Sequence, residues 1–196
     1  MEPFSVFGVP ARRNGNCRVV LSNKSLIDRA RKFALTAHGE QQREGNGVLC
    51  AGHLDAVALL LERSGISGPE IVAGAYLHDI IQDTSTTYQD IIKNFGTEIC
   101  QLVYWLTDDE NEDRKTRSLL SAWRLARAPW NAKLIKLADI IDTSSSLRRH
   151  DDADFAKIFL DENRQILRLM VESEGAKLMR IKLFQQAVAL TDTAQG

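Results

Sequence analysis

Four side chains have the types and order that suit a divalent cation: His53, His78, Asp79 and Asp139. His78 and Asp79 end an apolar run (Ile71, Val72, Ala73, Ala75, Tyr76) that reads as a buried helix. An adjacent imidazole and carboxylate are costly to bury there unless something offsets their desolvation. A divalent metal does so, because neutral imidazole and carboxylate both coordinate it. Asp139 lies among Leu134, Ile135, Leu137 and Ile140, a carboxylate embedded in an aliphatic helix face. His53 comes early in another helical segment, ahead of Leu54, Val57, Ala58 and Leu61. Singly, each has an ordinary reading: a polar helix end, a partly buried helical histidine, a carboxylate near a helix terminus. Together, on three helices, they suit a bundle that builds a metal site from inward side chains. Two nitrogens, two oxygens and no sulfur favour Mn²⁺, Fe or another borderline divalent ion over structural zinc. Such an ion makes water a nucleophile near neutral pH. A further carboxylate, Asp83, follows Asp79 by one turn and falls on nearly the same face.

The elements that must position these residues are all helical by periodicity. Residues 1–22, with Gly8, Pro10, Asn14 and Gly15, read as an irregular arm, and 23–196 as one helical domain. Leu26, Ile27, Ala30, Phe33, Ala34 and Ala37 predict a helix from Ser25 to His38, ended by Gly39. A polar loop, Gln41 to Gly52, leads into a helix over Ala51–Ser64 closed by Gly65. Pro69 opens the helix that delivers His78 and Asp79. Thr87 caps a short helix ending at Phe95-Gly96, and Thr97 is expected to cap the next. A charged helix runs to Pro129, carrying Leu119, Leu120, Trp123 and Leu125, and an apolar one spans Ala132 to Ile141. Two amphipathic helices, Asp154–Ser173 and Ala176–Thr191, complete an all-α chain without strand-like alternation, repeats or low-complexity segments.

Bulk composition narrows the partners. The 196 residues carry a formal net charge of −1, which leaves no electrostatic footprint for a nucleic acid polymer or an anionic membrane. No apolar run is long enough to span a bilayer, and the N-terminus lacks the basic start and apolar core of a secretory signal. The 3 cysteines, Cys17, Cys50 and Cys100, never fall in a Cys-x-x-Cys spacing, so a disulfide framework is not expected and a reducing cytoplasm is the default. The partner expected is a small molecule, with an oligomer left open.

The order His53, His78-Asp79, Asp139 resembles the H…HD…D pattern of the HD-domain metal-dependent phosphohydrolases. The chain is more closely similar to the small alarmone hydrolases, relatives of the hydrolase half of RelA/SpoT proteins. That likeness extends over Phe33-Ala34, Ala37-His38, Gln41, Arg43, Asp83-Thr84, Phe95-Gly96, Leu106-Thr107-Asp108 and Lys136-Leu137-Ala138-Asp139, within Leu26 to Leu169. The resemblance implies an HD-domain helical bundle with one Mn²⁺-like ion, and removal of a 3′-pyrophosphate from a hyperphosphorylated nucleotide such as ppGpp. It makes His53, His78, Asp79 and Asp139 the metal ligands and Asp83 the group that orients or activates the attacking water. Arg43 matches an arginine that packs on the purine, a role its planar guanidinium suits. His38 matches a frequent histidine of the family that is not a ligand there.

Three departures fall on substrate and water handling, and none on the ligands. Gln82 replaces the family glutamate, removing general acid–base help worth about 10²–10⁴-fold while keeping an amide able to hold water. Thr143 stands where an asparagine contacts substrate, and Glu44 replaces a basic residue near the phosphates. Val48, Leu49, Cys50 and Leu54 stand where the residues that usually flank the first histidine would be. Two other functions therefore stay open: phosphohydrolysis of a different nucleotide or phosphoester, and a weakly active nucleotide-binding protein.

Overall fold

The amphipathic periodicity is expressed as eleven helices among the described residues of the computed structural model, which are 23–42, 49–109, 111–147 and 152–192. They are α1 (Asn23–His38), α2 (Cys50–Arg63), α3 (Pro69–Leu77), α4 (Ile80–Asp83), α5 (Tyr88–Phe95), α6 (Thr97–Leu106), α7 (Arg114–Arg127), α8 (Trp130–Leu147), α9 (Ala153–Glu174), α10 (Ala176–Met179) and α11 (Lys182–Asp192). The arm over residues 1–22, Arg43, Glu44 and His150 lie outside the described residues. The only β feature described is an isolated bridge between Gln42 and Leu49.

Helix α3 is the hub. It packs on α1, α2, α6 and α8, and its residues Val72 to Leu77 are all buried. Such close approach requires a small residue, and Gly74 supplies it. A Cβ there would lie 3.1 Å from Ile135 Cδ1 of α8 and 3.2 Å from Leu102 Cδ1 of α6. One apolar core, running from Ala30 of α1 to Ala187 of α11, holds the bundle. At the far end α7 pairs with α9, and α8 with α11.

Local signals explain most boundaries. Gly39 (φ 55°) and Gly65 (φ 79°) take left-handed conformations just past α1 and α2. Thr87 and Asp90 form a reciprocal capping box on α5, and the Asp113 carboxylate caps α7. Thr97 does not cap α6, however. It is the first helical residue, behind Gly96, and makes no side-chain cap bond. Helix α8 runs past Ile141 to Leu147, with Thr143, Ser144 and Leu147 buried, and Ser145 and Ser146 donate their hydroxyls back to the carbonyls of Ile141 and Thr143. The continuous helix expected over 176–191 is broken at Arg180–Ile181, a break that lets both Leu178 and Leu183 reach the core. On α7 the inward face is Ser121, Ala122 and Leu125, whereas Leu119, Leu120 and Trp123 face solvent. Arg127 lies over the Trp123 ring, 4.7 Å from its centroid.

Filling the α3–α6–α8 crossing should therefore be costly. Gly74→Val is expected to lower the unfolding free energy by about 1–3 kcal/mol through overpacking, measured by urea denaturation.

Candidate metal centre

The run that ends α3 does not continue smoothly into α4. His78 is the last residue with the α3 backbone, and Asp79 (φ −99°, ψ −3°) sits at the junction. Carbonyls in a last helical turn lack intrahelical donors, and the His78 ring takes advantage of one: its Nδ1–H donates to Ala75 O at 2.8 Å. Neutral His78 therefore presents an Nε2 lone pair. His53, on the first turns of α2, is held the same way by a carboxylate, its Nδ1 lying 2.7 Å from Asp142 Oδ2. Its Nε2 also faces inward.

These nitrogens meet at 3.3 Å. Asp139 Oδ1 of α8 lies 3.4 Å from His53 Nε2 and 3.9 Å from His78 Nε2. Asp79 Oδ2 lies 3.6 and 3.1 Å from the same two atoms. Donors about 2.1 Å from one ion stand about 3.0–3.4 Å apart at octahedral or tetrahedral angles. The spacings of 3.1, 3.3 and 3.4 Å fall in that range, and those of 3.6 and 3.9 Å need only a small closure of the side chains around one small divalent cation. Four acceptors with no hydrogen between neutral rings also demand one.

The same carboxylates act on the charge of the His53 ring. Burial opposes a charge on His53, but hydrogen bonds that its ring donates to the Asp139, Asp142 and Asp79 carboxylates outweigh it and raise its pKa well above the ordinary value. The partners respond in kind. Burial opposes ionisation of Asp79, yet the charges and hydrogen bonds of His78 and His53 lower its pKa. Asp139 is lowered too, against burial, chiefly by Lys136 and the two histidines. The Lys136 ammonium donates to Asp139 Oδ2 at 2.7 Å and leaves Oδ1 turned to the imidazoles.

The HD domain family profile matches residues 30–161. The chain belongs to the HD domain family. Among similar proteins, the guanosine-3′,5′-bis(diphosphate) 3′-pyrophosphohydrolase MESH1 of Drosophila melanogaster is 31% identical over 119 residues, covering 60% of this chain and 66% of that protein. Its Homo sapiens counterpart is 32% identical over 130 residues, covering 65% and 73%. The structure also superposes on a metazoan ortholog of SpoT with a TM-score of 0.78 at 21% identity, covering 87% of this chain and 96% of that one. The all-helical fold is thus shared at full domain length.

Every predicted ligand of this HD-domain protein joins the cluster. Asp83, at the end of α4, lies close enough to sense it: burial and the Asp79 charge push its carboxyl upward, partly offset by His38, His78 and His53. Gln82 points its carbonyl elsewhere, accepting from the backbone N–H of Asp108 at 3.1 Å. Thr143 is buried and donates its hydroxyl to Asp139 Oδ1 at 3.0 Å, so it bears on a ligand carboxylate directly. Arg43 falls outside the described residues.

Two functional residues escaped sequence reasoning. Lys136 looks like a helix-surface lysine but anchors Asp139, and Asp142 orients His53. Their signal was available in the spacing, since both lie three residues from Asp139 and share its helix face.

Asp142→Ala should leave His53 unoriented and weaken Mn²⁺ binding by about 10–100-fold in calorimetric titration. Metal uptake must also displace the His53 proton. The raised pKa means the proton is bound below that pKa and absent above it. Apparent Mn²⁺ affinity should therefore fall by about tenfold per pH unit below that pKa, with proton release seen in buffers of different ionisation enthalpy.

Proposed function

We propose that the protein is a metal-dependent 3′-pyrophosphohydrolase of a ppGpp-like nucleotide, with Mn²⁺ or a similar divalent ion held by His53, His78, Asp79 and Asp139. The observation that carries this reading is the convergence of those four groups on one buried point. It occurs in a chain whose relatives are named for that activity. When bound, the ion supplies Lewis acidity toward the phosphoryl oxygens and lowers the pKa of water.

The remaining work belongs to the chain. Asp83, with its raised pKa, accepts the proton of the attacking water, and a carboxylate moved toward neutrality is the better base for that task. Lys136 stays charged although burial opposes it, because Asp139 and Asp108 raise its pKa, and it keeps Asp139 ionised. Gln82 holds the loop after α6 through Asp108 and contributes no proton transfer. Thr143 and Arg43 are assigned to the nucleotide, the first beside Asp139 and the second by stacking on the purine. The setting is a reducing cytoplasm, in keeping with thiols at Cys50 and Cys100, and no described helix is long and apolar enough to cross a membrane.

A second reading has one specific observation behind it. Gln82 cannot exchange a proton, so a slow or substrate-holding protein is the alternative.

Purified protein with Mn²⁺ should release pyrophosphate from ppGpp, and Asp79→Ala should abolish release. Stoichiometric Mn²⁺ without release from ppGpp would overturn the alarmone assignment. Gln82→Glu keeps an acceptor for Asp108 N–H and restores a carboxylate, so kcat should rise by up to about 10²-fold. A fall would mean that the glutamine belongs to a working site for another substrate.

A further inference from the structure

A second group of potential ligands lies where α1, α2 and α4 meet. His38 is the last residue of α1, Cys50 the first of α2 and Asp83 the last of α4. One ligand atom from each lies within 4.8 Å of the other two. The ends of α1 and α2 are tied there, since Cys50 N–H donates to Gln41 O at 2.9 Å and Gln42 bridges Leu49.

The state of His38 is the second observation. The residue is 6% exposed, and its Nδ1 lies 3.0 Å from Gln41 Oε1. An amide carbonyl only accepts, so Nδ1 carries the hydrogen and Nε2 keeps its lone pair. That Nε2 is buried and has no hydrogen-bond partner among the described residues. Buried polar atoms are nearly always satisfied, and one left over beside a thiol and a carboxylate points to a ligand.

We propose that His38, Cys50 and Asp83 form a second cation site, selective for a thiolate-preferring ion such as Zn²⁺, and that filling it silences the hydrolase. A thiolate and a carboxylate together neutralise a divalent ion, and neutral imidazole completes three protein ligands with a fourth position open. The donor set differs from the first centre. Sulfur draws Zn²⁺ or Co²⁺, whereas the all-nitrogen-and-oxygen centre accepts Mn²⁺. Tetrahedral donors stand about 3.3–3.8 Å apart, so the group must close slightly, and rotation of the Asp83 side chain at the end of α4 can do it. A cation that holds Asp83 removes the proton acceptor assigned above. That silencing rests on the proposed hydrolase mechanism, whereas the binding does not.

The test uses the full chain loaded with Mn²⁺ and Co²⁺ as the spectroscopic probe. One further equivalent of Co²⁺ should bind with a thiolate-to-cobalt charge-transfer band. Cys50→Ser should lose the band while keeping its helicity and its Mn²⁺ stoichiometry, and Cys100→Ser should retain it. Absence of the band from the unmutated protein, or its survival in Cys50→Ser, would overturn the site without reference to turnover. With ppGpp as substrate, one equivalent of Zn²⁺ should abolish turnover in the Mn²⁺-loaded protein and spare Cys50→Ser. Equal inhibition of both would place the zinc at the first centre and overturn the silencing.

Discussion

Two imidazole nitrogens and two carboxylate oxygens directed at one buried spot repel one another unless a positive charge sits among them. Coulomb energies at such separations are large where water is excluded, so the arrangement cannot be left uncompensated. The fold supplies compensation twice over. Lys136 neutralises one side of Asp139, and the surrounding carboxylates raise the pKa of His53, favouring a charged ring.

Holding four acceptors at these distances also demands a rigid frame. Three of the ligand-bearing segments meet through α3, whose Gly74 lets α6 and α8 close to side-chain contact with its backbone. Away from the site, the almost fully buried Lys133 reaches Glu174 and Ser173, so α8 is also pinned at the end of α9. Because buried pairs of this kind gain little net stability, the Lys133 contacts serve to fix the placement of α8. The placement of the four side chains then follows from the packing of these helices.

How much of this could be read from the residues depended on what each one reports. The helices over α1, α2, α3 and α5 were legible because apolar spacing, glycines and Thr87 all agree locally. His53, His78, Asp79 and Asp139 were legible as a set because the types and order point to one ion. The end of α8 was not, since Asp142 to Ser146 look like a polar loop until Thr143 and Ser144 are seen to be buried against neighbouring elements. The roles of Lys136 and Asp142 were hidden for a related reason. A charged residue beside a carboxylate reads as solvated until the opposing helix is in place. The break before α11 has no punctuating glycine or proline, and long-range packing decides it.

Helix α8 carries Lys136, Asp139, Asp142 and Thr143 within two turns. One residue added or removed upstream of them within the helix would turn the whole group by about 100° and slide it by about 1.5 Å. No point substitution elsewhere moves so many parts at once. An insertion or deletion within α8 therefore disturbs the site far more than one in the connections between helices. The α8 segment acts as a fixed-length ruler, its register setting where all four side chains stand.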